Sequence, residues 1–157
     1  MKMSDFRISI KNDVFVTSNK NVVDTIIYIS HGNVYFPSFG WTDFTFPILE
    51  EWKYNLLKIK GGNDISTCLY FHDGPFWMEV YKNKLELKID LVNERKGRKI
   101  EGTILCGYYE FLNSIYDAMK MFVKVLYENG MHEGDFSSIY KQTMSSQREL
   151  KEILRQK

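Results

Sequence analysis

Apolar and polar positions alternate in short runs over the first third of the chain, recur at helical spacing, then alternate again. Phe6, Ile8 and Ile10 occupy every second position, as in a half-buried strand. Asn12-Asp13 predicts a turn before Val14-Phe15-Val16, and residues 18–21 predict a second. Residues 22–30 are β-branched and apolar on both faces, the pattern of a central strand. His31-Gly32-Asn33 then turns the chain into Val34-Tyr35-Phe36, so this third reads as antiparallel β.

A helix is predicted from Thr45–Pro47, because proline lacks only an N–H that the first turn leaves unpaired anyway. Glu50 and Glu51 suit the positive end of its dipole, and Leu49, Trp52, Leu56 and Ile59 share one face. Gly61-Gly62 is its predicted stop. Strands follow at residues 67–71, 76–81 and 84–92, the last two joined across Lys82-Asn83. Leu85, Leu87, Ile89 and Leu91 alternate with Glu86, Lys88 and Asp90. Residues 99–106 read as an interior strand, with Gly102 allowing close approach of another segment. A long helix spans about 109–129, with Phe111, Leu112, Ile115, Met119, Phe122 and Leu126 as its apolar stripe and Gly130 as its cap. Met119 and Met121 read as core filler. A last helix is expected over about 146–155, because Ser146 and Glu149 stand in capping-box spacing. The expectation is one α+β domain over 1–157, a mostly antiparallel sheet packed by two or three helices.

Composition sharpens this only at the aromatics, which make up 15% of 157 residues. Residues 36–47 hold four phenylalanines, Trp41 and two prolines, and Phe71-His72-Asp73-Gly74-Pro75-Phe76-Trp77 repeats the mixture. Such rings form either an aromatic core or an exposed binding surface. A net charge of +1 gives no sign of a nucleic-acid or membrane-surface partner. Cys68 and Cys106 lie in apolar runs and read as free thiols. The first residues lack the apolar stretch of a signal peptide, and no run approaches the ~20 apolar residues of a membrane span. The expectation is therefore a cytoplasmic protein.

Candidate chemistry is sparse. His31, His72 and His132 lack metal-ligand spacing, and no nucleophile elbow or phosphate-binding glycine loop occurs, so no metal or cofactor is expected. His72-Asp73 is a candidate for a tuned base, although adjacent strand residues point to opposite faces and Asp73 also suits an Asp-Gly-Pro turn. Asp43, Glu50, Glu51, Asp73 and Glu79 together suggest an acidic rim around Trp41, Phe44, Trp52 and Trp77, although Asp43 could equally cap the turn that follows it.

The matching positions Phe36, Pro37, Gly40, Trp41, Asp43, Phe44, Leu49 and Trp52, followed by Phe71, Asp73, Gly74, Pro75 and Phe76, carry a family resemblance. Residues 34–81 resemble small bacterial immunity proteins of polymorphic or contact-dependent toxin systems. His72 departs from it, standing where that pattern has an apolar residue. The resemblance implies a non-catalytic protein that neutralises a cognate toxin by stoichiometric binding. The expected partner-binding residues are Trp41, Asp43, Phe44, Asp73 and Trp77. The alternatives are a small-ligand or regulatory domain, which requires an apolar cavity, and a small enzyme using His72 and Asp73. An exposed edge strand would serve a homodimer as readily as a toxin complex.

Overall fold

Alternation in the first third builds a sheet around its most apolar strand. The computed structural model describes residues 5–16, 23–61 and 65–157. In it β2 (Val23–His31) is central, as predicted. It pairs antiparallel with β1 (Arg7–Val16) along one edge, and β3 (Val34–Phe36) and β4 (Thr42–Phe44) share the other. The turn predicted at Asn12-Asp13 is instead a bulge in a continuous β1, where the register shifts between Lys11 and Val14. The turn predicted at 18–21 lies outside the described residues. β4 falls inside the aromatic stretch, where the sequence predicts no strand.

Helix α1 (Thr45–Lys58) starts where proline predicts and buries Leu49, Trp52, Leu56 and Ile59 beneath the sheets. It ends ahead of Gly61, and the first turn carries no acid, so Glu50 and Glu51 lie one turn further in. Next comes the second sheet, in the order β5 (Ser66–Tyr70), β6 (Phe76–Asn83), β7 (Glu86–Asn93), β8 (Lys99–Gly107). The β6–β7 turn is Lys84-Leu85, two residues beyond the prediction, with Lys84 at φ 58°. Leu87, Ile89 and Leu91 are buried as expected, whereas Leu85 is exposed in the turn. The expectation of an interior strand over 99–106 is corrected: β8 pairs with β7 alone and is an edge.

Helix α2 (Tyr108–Glu128) is the main core helix, and its predicted stripe is fully buried. Gly130, at φ +70°, follows its C-terminus in the left-handed conformation that glycine favours. Met119 is core, but Met121 faces water. Rings from both sheets and both helices meet in one cluster: Phe6 on Phe111 (4.6 Å), Trp52 on Phe71 (5.1 Å), and Phe36 on Phe71 and Phe76 (5.7 and 5.9 Å). Nine aromatic side chains are thus buried among the described residues, whereas Tyr35, Phe39, Tyr54, Tyr70, Tyr81 and Tyr127 are exposed. Cys68 and Cys106 are free thiols.

Helix α3 (Ser137–Arg155) begins well before Ser146, so no capping box forms there. Ser146 sits buried in mid-helix because its hydroxyl has a tertiary role. It accepts from Lys53 Nζ at 2.7 Å and donates to Glu50. Buried Lys53 also pairs with Glu50 (3.0 Å) and Glu149 (3.2 Å), clamping α1 to α3. Lys53→Met keeps the volume and removes the charge. Glu50 and Glu149 reach water, so they can rehydrate. The expected cost is about 1–2 kcal/mol, below that of orphaning a buried ion. Amide exchange should accelerate in α3 ahead of the sheets; unchanged α3 protection would count against the clamp.

Candidate functional site

Asp43 organises the junction between the two sheets. Its side chain points inward beside Thr25 of β2, and the residue is 1% exposed. Oδ1 accepts the Phe44 N–H (2.8 Å). Oδ2 accepts Trp41 Nε1 (3.0 Å) and the backbone N–H groups of His72 (3.0 Å) and Asp73 (3.1 Å). One carboxylate thus ties the start of α1 to the β5–β6 turn. Gly74, at φ +122°, is needed there, since a Cβ would stand 3.2 Å from both Trp41 and Phe76. The Trp41 ring meets Phe76 edge-on at 5.1 Å.

These contacts correct part of the expected binding site. Asp43 is too deeply buried to touch a partner, and the Trp41 N–H is spent on it. Phe44 is half-buried, and Asp73 is exposed. The proposed acidic rim disperses: Trp52 is core, and Glu50 belongs to the Lys53 clamp. His72 and Asp73 are neighbours through their backbones, but the His72 ring pairs with Glu51 at 3.0 Å. Among the described residues no group of three or more His, Cys, Asp or Glu is placed to hold a metal. No helix there is long and apolar enough to cross a membrane.

Asp24, opposite Phe44 across β2 and β4, is the uncomfortable member of this region. Its Oδ1 is buried without a hydrogen-bond partner. Burial first, then the nearby charges of Asp43 and Asp73, push its carboxyl above the ordinary 3.8. A raised folded-state pKa means the ionised form is disfavoured in the fold. The penalty applies in full at neutral pH and vanishes below 3.8, where both states are protonated. Asp24→Asn should therefore stabilise at neutral pH by up to ~1 kcal/mol, discounted because water still reaches the residue. The gain should disappear in urea titrations run below 3.8, and a gain independent of pH would refute this cause.

Beside the junction, Val23, Phe44, Phe46, Pro47, His72, Ile139 and Gln142 line a cavity of about 410 Å³ between the first sheet, α1 and α3. Its walls are mostly apolar, with the His72 ring and the Gln142 amide as polar groups.

Trp77 lies elsewhere, on the outer face of the second sheet, away from the helices. The ladder aligns Tyr70, Trp77, Val92 and Ile100 in one row, Cys68, Glu79, Asp90 and Thr103 in the next, and Ser66, Tyr81, Lys88 and Leu105 in a third. Tyr70 packs on Trp77 at 5.9 Å. Glu79 accepts from Trp77 Nε1 (3.3 Å), Tyr81 Oη (3.1 Å) and Arg98 Nη2 (2.6 Å), the arginine folding back from the β7–β8 loop. The Arg98 hydrogen bonds hold the Glu79 carboxyl below the ordinary range, with smaller help from Trp77 and Tyr81. Asp90 is buried beside it, accepting from Thr103 at 2.8 Å. Tyr70 and Tyr81 remain 46% and 40% exposed around this saturated centre. Sequence reasoning named Trp77 but missed Tyr70, Tyr81 and Arg98. The strict alternation of Trp77, Glu79 and Tyr81 against Phe76, Met78 and Val80 carried the signal for Tyr81.

Comparison with family models, curated proteins and solved structures finds no match to this chain.

Proposed function

We propose that this chain is a non-catalytic binding protein, an immunity protein that neutralises a bacterial toxin by stoichiometric binding through the outer face of its second sheet. The observation that carries the binding role is that face itself. Tyr70, Trp77 and Tyr81 stand half-exposed around a carboxylate whose acceptor capacity is already filled by Trp77, Tyr81 and Arg98. Rigid aromatic side chains with hydrogen bonds pre-arranged among themselves lose little freedom on binding, which is the make-up of an interface centre. The toxin as partner comes from the resemblance of residues 34–81.

The test is a paired capture. Tagged wild-type chain and a Tyr70→Ala/Trp77→Ala variant are used as bait in cells of the source organism. The expected result is one protein bound at equal stoichiometry by the wild type and lost by the variant, whose expression alone is toxic and is rescued by the wild type. A captured protein held equally by both baits would move the site elsewhere; one harmless to cells would remove the immunity role.

The 410 Å³ apolar cavity favours a second reading, a small-ligand domain. In that case a thermal-shift screen should yield ligands that Phe46→Ala or Gln142→Trp abolishes, and that Trp77→Ala leaves bound.

A further inference from the structure

Hydrogen-bond acceptors gather at the rim of the cavity between the first sheet, α1 and α3. Val23, Phe44, Phe46 and Ile139 are buried or half-buried and form its floor, whereas Pro47, His72 and Gln142 are exposed and form its rim. A carboxylate can only accept, so the 3.0 Å contact of His72 with Glu51 makes Nε2 the donor and leaves Nδ1 of the neutral ring as an acceptor. The Gln142 amide donates to Ser138 Oγ at 3.4 Å, and its carbonyl oxygen has no partner among the described residues. Asp24 adjoins two of the walls, following Val23 in β2 and pairing with Phe44 across the ladder, and its buried Oδ1 is unpartnered. Among the described residues, no lysine or arginine is ion-paired with Asp24, Asp43, Glu51 or Asp73. The N-terminus of α1 opens nearby and by itself would favour an anion, but Pro47 has no N–H and the Asp43 carboxylate already holds the Phe44 N–H.

We propose that the cavity binds an organic ammonium ion, its apolar body against Phe44, Phe46 and Ile139 and its charged head at Asp24, with His72 Nδ1 and Gln142 Oε1 as further acceptors. This rests on the second reading above, that the cavity admits a small molecule, and is independent of the outer face of the second sheet. The volume of about 410 Å³ suits it, since ligand sites run from roughly 300 to 1,000 Å³. Leaving a buried carboxylate oxygen unpaired costs stability, and an ammonium supplies the missing donor and the countercharge together. An alcohol supplies the donor alone. An anion supplies neither, and meets the charges of Asp24, Asp43, Glu51 and Asp73. Burial and the charges of Asp43 and Asp73 already push the Asp24 carboxyl up, a tension that a bound cation relieves.

Three indole probes of similar shape test this by calorimetric titration of the whole chain at neutral pH: tryptamine, an ammonium; tryptophol, a neutral alcohol; and indole-3-propionate, an anion. Tryptamine should bind roughly tenfold or more tighter than tryptophol, and the anion should not bind. Asp24→Asn, which is expected to fold at least as stably as the wild type, should bring tryptamine and tryptophol to about the same Kd. Asp117→Asn removes the same charge from an exposed position on α2 and should leave the preference intact. Gln142→Trp fills the rim and should abolish binding of every probe. Binding without charge preference, a preference for the anion, or a preference for tryptamine that survives Asp24→Asn overturns the ammonium assignment while leaving the cavity a ligand site. No binding of any probe overturns the ligand reading of the cavity, and the assignment with it.

Discussion

Asp43→Ala should lower the stability of the fold by about 3 kcal/mol, a large share of the ~5–15 kcal/mol typical of a domain. The carboxylate takes four N–H donors, from Trp41, Phe44, His72 and Asp73. Hydrogen bonds to an ionised acceptor are worth roughly 1.5–3 kcal/mol each, and they do not add. The β5–β6 turn is exposed, so His72 and Asp73 can recover water when released. Phe44 and Trp41 are half-buried and recover less. Asp43→Asn should fall between, because its amide sets a donor against at least one of the four N–H groups. Urea unfolding followed by tryptophan fluorescence reads both values, with an unchanged slope indicating that only the native state is affected. Amide exchange at His72 and Asp73 should accelerate before exchange in α2. A loss under about 1 kcal/mol for the alanine variant would mean that water replaces the carboxylate, and that the junction is held by ring packing alone.

Trp77→Ala should weaken the captured complex by about 2 kcal/mol or more, roughly 30-fold in Kd, while the fold survives. Trp77 stands on the face away from the core, and its ring contacts Tyr70 and its N–H reaches Glu79. Removing it uncovers the outer row but opens no cavity in the main cluster. Trp41→Ala is the informative control. That ring packs on Phe76 and its N–H is committed to Asp43, so it should cost stability and leave affinity nearly unchanged. Calorimetric titration against the captured partner, with melting curves for each variant, separates the two effects. If Trp41→Ala weakened binding as much as Trp77→Ala at equal foldedness, the interface would lie at the junction.

The fold was readable wherever a pattern ran long enough to have a period. α2 shows six stripe residues over four turns, and all are buried. β7 shows its buried face through Leu87, Ile89 and Leu91. β4 was not readable, because three residues have no periodicity and the strand exists only through its pairing with β2. The start of α3 was misread for a related reason. Ser146-x-x-Glu149 has the spacing of a cap, but both residues are turned toward Lys53, distant in sequence. The site was legible as a list of residue types and not as a place. Trp41, Asp43 and Trp77 look equivalent in sequence, yet Asp43 is drawn inward by donors from a turn some thirty residues later, and Trp77 is put outside by strand parity alone.

The Asp43 carboxylate grips His72 and Asp73 by their backbones, leaving both side chains unused at that anchor. Such a tie is indifferent to the identity of what it holds. Positions 72 and 73 can therefore drift through almost any residue under selection while the loop keeps its course, and proline alone, having no N–H, would break the tie. Gly74 next to them has no such licence, since any side chain there meets Trp41 and Phe76. A substitution-tolerant pair thus sits beside a position that only glycine fits, which lets this corner of the molecule change its surface chemistry without renegotiating its architecture.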